Sequence, residues 1–209
     1  MRQTIISLHA AEGNRDIIEA ALREGPFEMQ HEVDTQLLTM IREGEPEERQ
    51  LEYVANRMNE LIAREPAFIF VTCTNYIVLL DRIGLSANVP ILKIDELLFQ
   101  EIAQIHKPIK LLFSNEQTIA GTMARLTNYV KRPLDVEVVL IPHIFDLYIA
   151  GKKEAHDREL QRVLAEFSGN EEGKVLVVAQ LSMAPAATAF SQASGVVVLT
   201  PLTGIQKII

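Results

Sequence analysis

The chain has 209 residues, enough for one large α/β domain or two small ones. Hydrophobic residues make up 48% and charged residues 23%, an ordinary globular mix. The 20 basic against 28 acidic residues give a formal charge of -8, which argues against nucleic acid or an anionic membrane as partner.

Short β-branched runs alternate with longer amphipathic runs. Residues 4–8 predict a buried strand, and 15–23 a helix with Ile17, Ile18, Ala21 and Leu22 on one face. A second strand is expected at 29–33. The charge-rich stretch 43–52 predicts a solvated loop and helix start, and the helix runs over 47–64 with Leu51, Val54, Met58, Leu61 and Ile62 at helical spacing. Residues 68–71 form a wholly apolar strand. A helix follows at 76–83 and a short strand at 90–92.

The second half repeats this grammar. Helices are expected at 95–105, 117–129, 154–167 and 183–193, with a last helical turn from 204 onward. Strands are expected at 109–113, 136–141, 174–178 and 196–199. Apolar strands alternating with helices predict parallel sheets covered on both faces. About nine strands are too many for one small sheet, so two sheets are expected, split near 92–96. No apolar stretch approaches the roughly 20 residues of a membrane span. The opening apolar run is too short for a secretory leader, and a single cysteine leaves no intrachain disulfide. Together these point to a reducing, cytoplasmic compartment.

In such folds ligands bind at the carboxyl ends of the strands. The strand at 68–71 ends in Thr72-Cys73-Thr74-Asn75. A thiol at a helix start sits near unpaired N–H groups and the positive end of the helix dipole, which favour a thiolate. Thr74 and Asn75 with the same N–H groups offer donors for a carboxylate. The alternative is a small buried hydrophobe, the commonest fate of a lone cysteine. The next strand ends run through Ser114-Asn115-Glu116-Gln117-Thr118 and Ala179-Gln180-Leu181-Ser182-Met183. Their hydroxyls and amides serve either as ligand donors or as helix caps. His9 ends the first strand as a pocket residue or a satisfied edge histidine. Asp34 reads as a turn or cap residue that also has access to a cleft. There is no G-x-G-x-x-G, P-loop, G-x-S-x-G, C-x-x-C or H-E-x-x-H, and so no signal for a nucleotide or metal. His156 and Asp157 are adjacent on a helix and are expected on different faces.

The ordered motifs resemble the aspartate/glutamate racemase superfamily, which includes hydantoin racemases, maleate isomerases and arylmalonate decarboxylases. The segment Thr72-Cys73-Thr74-Asn75 is similar to its first cysteine motif. Val89-Pro90-Ile91-Leu92-Lys93 with Asp95-Glu96 is similar to the entry to its second lobe, and 111–118 to its small-hydroxyl loop. Val177-Val178-Ala179-Gln180-Leu181-Ser182-Met183-Ala184 resembles the second motif, and Val197-Val198-Leu199-Thr200-Pro201 the return strand. The resemblance implies two pseudo-symmetric flavodoxin-like lobes with parallel sheets and a ligand cleft between them. Residues 1–94 and 200–209 would form the first lobe and 95–199 the second. It implies no cofactor or metal, and a small carboxylate ligand. A homodimer is common among such proteins.

Gln180 stands where many members carry a second cysteine, and an amide does not exchange protons near neutral pH. Three readings stay open. The first is a cofactor-independent isomerase (racemase), decarboxylase or lyase. It would use Cys73 as the single acid/base, with Thr74, Asn75, Ser114, Thr118, Gln180, Ser182 and His9 about the substrate. The second is a non-catalytic protein that binds a small carboxylate. The third is a regulatory flavodoxin-like domain with a structural cysteine.

Overall fold

The computed structural model describes residues 3–85, 87–170, 173–205 and 208. By contacts the chain divides into two units, Met1–Ile94 and Asp95–Ile208.

The first unit contains strands β1 (Gln3–His9), β2 (Phe27–Val33), β3 (Ile69–Val71) and β4 (Ile91–Lys93). Its helices are α1 (Glu12–Leu22), α2 (Gln36–Arg42), α3 (Glu47–Ile62) and α4 (Thr74–Ile83). The strands are all parallel, in the order β2-β1-β3-β4. Ile5, Ile6 and Leu8 of β1 are at most 1% exposed, so helices cover both faces of the central strand. Helix α3 turns Val54, Met58 and Leu61 inward, a stripe at helical spacing, and starts after Pro46 with Glu47 and Glu48 against its positive end. Helix α4 stops at Gly84, whose φ of 62° ends it in the left-handed conformation.

The second unit opens with α5 (Ile94–Ile102). Strands β5 (Ile109–Phe113), β6 (Val136–Leu140), β7 (Val175–Val178) and β8 (Val198–Leu199) follow, with helices α6 (Ile119–Val130), α7 (Ile144–Ile149), α8 (Lys153–Asn170) and α9 (Ala184–Ser194). Its parallel sheet has the order β6-β5-β7-β8, the first unit's order repeated. Leu112, Leu176 and Val178 pack on one side with Ile144, Leu160, Leu164 and Phe190. Leu111, Phe113 and Val177 pack on the other with Leu98, Phe99 and Leu126. The α/β class and the two lobes with parallel sheets are as the sequence predicts.

Some details differ from expectation. The described residues hold eight strands rather than about nine. The short helices α2 and α7 arise where none is predicted. Helix α4 begins at Thr74, directly after Cys73. Residues 200–205 group by contact with Asp95–Ile208. The close approach of Gly204 to α5 shows why: a Cβ there would lie 2.9 Å from the Leu97 carbonyl oxygen.

The repeated order makes the two sheets comparable residue by residue. Leu8 pairs with Val71 as Leu112 pairs with Val178. The Thr72 N–H closes onto the Leu8 carbonyl as Ala179 closes onto Leu112, and Asp34 onto His9 as Ile141 onto Phe113. Cys73 and Gln180 therefore hold the same place, two residues past equivalent strand positions. Both have extended backbone at a helix start.

Candidate functional site

At the carboxyl edge of the first sheet, Cys73 caps α4 with φ -99° and ψ 118°. Cys73 is 7% exposed; its side chain makes no capping hydrogen bond to α4, though the nearby backbone N–H groups of Tyr76 and Asn75 act on the thiol. Those donors favour a thiolate, as the sequence predicts, but burial outweighs them. Desolvation, with the Asp34 carboxylate adding in the same direction, pushes the thiol up to about 11. Cys73 is therefore a neutral thiol at pH 7, which corrects the expected low-pKa thiolate. Thr74 and Asn75 form the first turn of α4 and are half-buried.

Asp34, the residue after β2, is 8% exposed. Its Oδ1 accepts the Gln36 N–H at 2.9 Å, the capping role its sequence position predicts. Its Oδ2 accepts the hydroxyls of Tyr53 at 2.6 Å and Tyr76 at 2.5 Å, with Arg57 Nε at 3.6 Å. Burial and the bond to this carboxylate push Tyr53 up to about 12 and Tyr76 higher still, so both stay protonated donors. A groove of about 480 Å³ opens beside this cluster, walled by Asp34, Gln36, Tyr53, Asn56, Arg57 and Glu60. The tyrosines come from α3 and α4, far from Asp34 in sequence, and only the acid itself is visible as a candidate beforehand.

His9 is fully buried, with protein partners at both ring nitrogens. Its Nδ1 lies 2.9 Å from Thr72 Oγ1 and its Nε2 lies 2.9 Å from His31 Nδ1, with the two rings stacked at 5.2 Å. Burial, then the neighbouring His31 and Arg15, lower His9 to about 3.

At the carboxyl edge of the second sheet, three expected binding residues meet. The Gln180 side-chain carbonyl accepts the Ser114 backbone N–H at 2.7 Å and its hydroxyl at 3.2 Å. The Gln180 NH₂ donates to Thr118 Oγ1 at 2.9 Å, and that hydroxyl donates to the Asn115 carbonyl at 2.8 Å. Gln180 thus ties the end of β5 to the start of α6. Ser182 is buried in the turn Leu181–Met183 that leads into α9.

His156 and Asp157 do meet, against expectation, with Nδ1 2.8 Å from Oδ1. The imidazole is buried against the Tyr148 ring, 5.4 Å away. Among the described residues no three His, Cys, Asp or Glu side chains converge in a way that would hold a metal ion. Among the same residues no helix is long and apolar enough to cross a membrane.

No family model matches the chain, and no curated protein matches it in sequence. Solved structures do match in fold. An aspartate racemase from Picrophilus torridus superposes with a TM-score of 0.73 at 12% identity, over 96% of this chain and 89% of its own. An allantoin racemase from Klebsiella pneumoniae gives 0.66 at 12%, over 99% and 85%. A glutamate racemase from Francisella tularensis, solved with D-glutamate, gives 0.64 at 11%, over 99% and 79%. At these identities the likeness is one of fold.

Proposed function

We propose that the chain is a cofactor-independent enzyme acting at the carbon next to the carboxylate of a small acid, with Cys73 as its single thiol acid. The observation that carries this is the setting of Cys73. It lies at a strand end and at the positive end of helix α4, near an acid held by two tyrosines, in a fold shared with racemases.

The neutral thiol favours one direction of chemistry. Drawing a proton onto a thiolate at pH 7 would first cost about 5 kcal/mol to ionise a group near 11. Giving a proton away starts from the form already present, and the strongly basic carbanion offsets the cost of leaving a buried thiolate. The best-supported reaction forms the carbanion without the thiol, as in loss of CO₂, and then takes the Cys73 proton onto carbon. The Asn75 and Tyr76 N–H groups would receive the thiolate left behind, until solvent reprotonates it. Within the first unit, Thr74 and Asn75 at the start of α4 are the candidate donors for the carboxylate or the enediolate. Two-thiol racemisation is disfavoured, because the place equivalent to Cys73 holds an amide. The protein's partner would be that small carboxylate, in the cytoplasm.

A second reading is a protein that binds such an acid without turnover. The engagement of Gln180 with Ser114 and Thr118 favours it, because a tied amide supports structure rather than proton transfer.

The test is to incubate the protein in D₂O with small malonates, amino acids, hydroxy acids and unsaturated dicarboxylates, and to follow them by NMR. The enzyme reading expects deuterium incorporation or CO₂ release that Cys73→Ala abolishes while binding persists. Turnover that survives Cys73→Ala refutes the role of the thiol. Binding with no turnover on any of the four classes selects the second reading.

A further inference from the structure

The two lobes share a register but not a chemistry. Ser7, His9, His31 and Thr72 of the first sheet correspond to Leu111, Phe113, Val138 and Ala179 of the second. The fold therefore does not require polar residues at these places. Burying them unpaired costs free energy, so their presence in one lobe only, directly before Cys73, calls for a reason.

We propose that His9 and His31 are positioning residues that fix the Thr72–Cys73 strand end through one directed string of hydrogen bonds. This rests on the catalytic reading of Cys73. Thr72 has a single hydroxyl proton and two acceptors within reach, the Leu8 carbonyl at 3.1 Å and His9 Nδ1 at 2.9 Å. If the hydroxyl donates to Leu8, His9 donates from Nδ1 to Thr72, and His31 donates from Nδ1 to His9 Nε2. Three bonds form, and His31 Nε2 is left as a bare lone pair. If the hydroxyl donates to His9 instead, the bond to Leu8 is lost and His31 Nε2–H becomes a buried orphan donor. His31 Nε2 is buried without a partner among the described residues. An orphan N–H is the costlier of the two and the bond count is lower, so the first order wins. Both imidazoles are Nδ1–H tautomers that donate toward Thr72, and the Thr72 hydroxyl donates on to Leu8 of β1.

The string also has one way in for a proton. Among the described residues His31 Nε2 is its only unbonded nitrogen, and Glu19, Arg15 and Asp16 act on this imidazole from α1. A proton there leaves every bond intact, whereas one on His9 Nε2 breaks the bond from His31.

The experiment is long-range ¹H–¹⁵N NMR of the imidazoles in the full-length protein, together with the pH profile of Cys73 alkylation. Nδ1–H tautomers for His9 and His31, with His31 taking a proton at Nε2 before His9 does as the pH falls, are expected. Nε2–H tautomers overturn the proposal. For the coupling to Cys73, His9→Asn keeps a donor near the Nδ1 position, and His9→Phe installs the second lobe's residue. His9→Phe should move the alkylation midpoint by about half a pH unit, roughly a threefold change in thiolate at fixed pH, and His9→Asn should restore it. An unmoved midpoint in His9→Phe overturns the positioning role. Neither readout depends on turnover, so a failure here is separate from a failure of the proposed reaction.

Discussion

Lowering the pH from 7 to 4 should destabilise the protein through His9 in particular. In the folded chain this imidazole stays neutral down to about pH 3, because burial and its neighbours His31 and Arg15 oppose a charge. In the unfolded chain it takes a proton near the ordinary value of 6.5. Between those limits the unfolded state binds the extra proton, so stability is full above about pH 6.5 and falls as the pH drops toward 3. At about 1.4 kcal/mol per pH unit, the loss is about 3 kcal/mol at pH 4 and about 5 kcal/mol when complete. That is a large share of the 5–15 kcal/mol typical of a domain. Urea unfolding followed by circular dichroism at pH 7, 6, 5 and 4 measures it. His9→Phe is the control, since carboxylates titrate in both proteins and only the imidazole differs. The wild-type curve should fall more steeply than the variant's by about one proton. Parallel curves would refute the assignment of His9 as a buried neutral imidazole.

Three further outcomes follow from the geometry. Asp34→Asn removes a negative charge beside Cys73, so the alkylation midpoint should move down from about 11 and the rate at pH 8 should rise; an unchanged or slower rate contradicts the electrostatic role of Asp34. Gln180→Met deletes the acceptor of the buried Ser114 N–H and should cost about 1–3 kcal/mol in urea unfolding, whereas a neutral result would mean Gln180 is no tie. Gly204→Ala pushes a methyl to 2.9 Å from the Leu97 carbonyl and should lower stability by about 1–3 kcal/mol, with a Tm at or above wild type as the opposing result.

Much of the architecture is legible in the sequence, because strands covered on both faces need unbroken apolar runs. Phe68-Ile69-Phe70-Val71 and Ile109-Lys110-Leu111-Leu112-Phe113 announce themselves in this way. Lys110 does not break its run: it is 2% exposed, reaches Glu137 at 2.7 Å and covers the Phe167 ring. Helices α2 and α7 are only seven and six residues long, too short for a helical period to stand out. Cys73 is legible as a strand-end residue, but its protonation state depends on burial, which no local pattern reports. The same holds for Asp34. Its bond to the Gln36 N–H is local and foreseeable, while Tyr53 and Tyr76 reach it from 19 and 42 residues away. His31 carries no local signal, since its meaning comes only from stacking on His9. The separation expected of His156 and Asp157 fails because neighbouring side chains can bend toward each other at a helix start.

The register shared by Cys73 and Gln180 bears on how the molecule should breathe. One lobe buries His9 and an acid near its sheet edge, with His31 half-buried beside them, and the other fills most of the matching places with leucine, phenylalanine, valine, alanine and isoleucine. Local opening is easiest where polar groups regain water on exposure. Amide exchange should accordingly be faster at Leu8, Val71 and Thr72 than at Leu112, Val178 and Ala179, and the gap should widen in acid. A repeated framework divides labour in this way: one copy can hold buried ionisable groups because the other is free to be merely well packed.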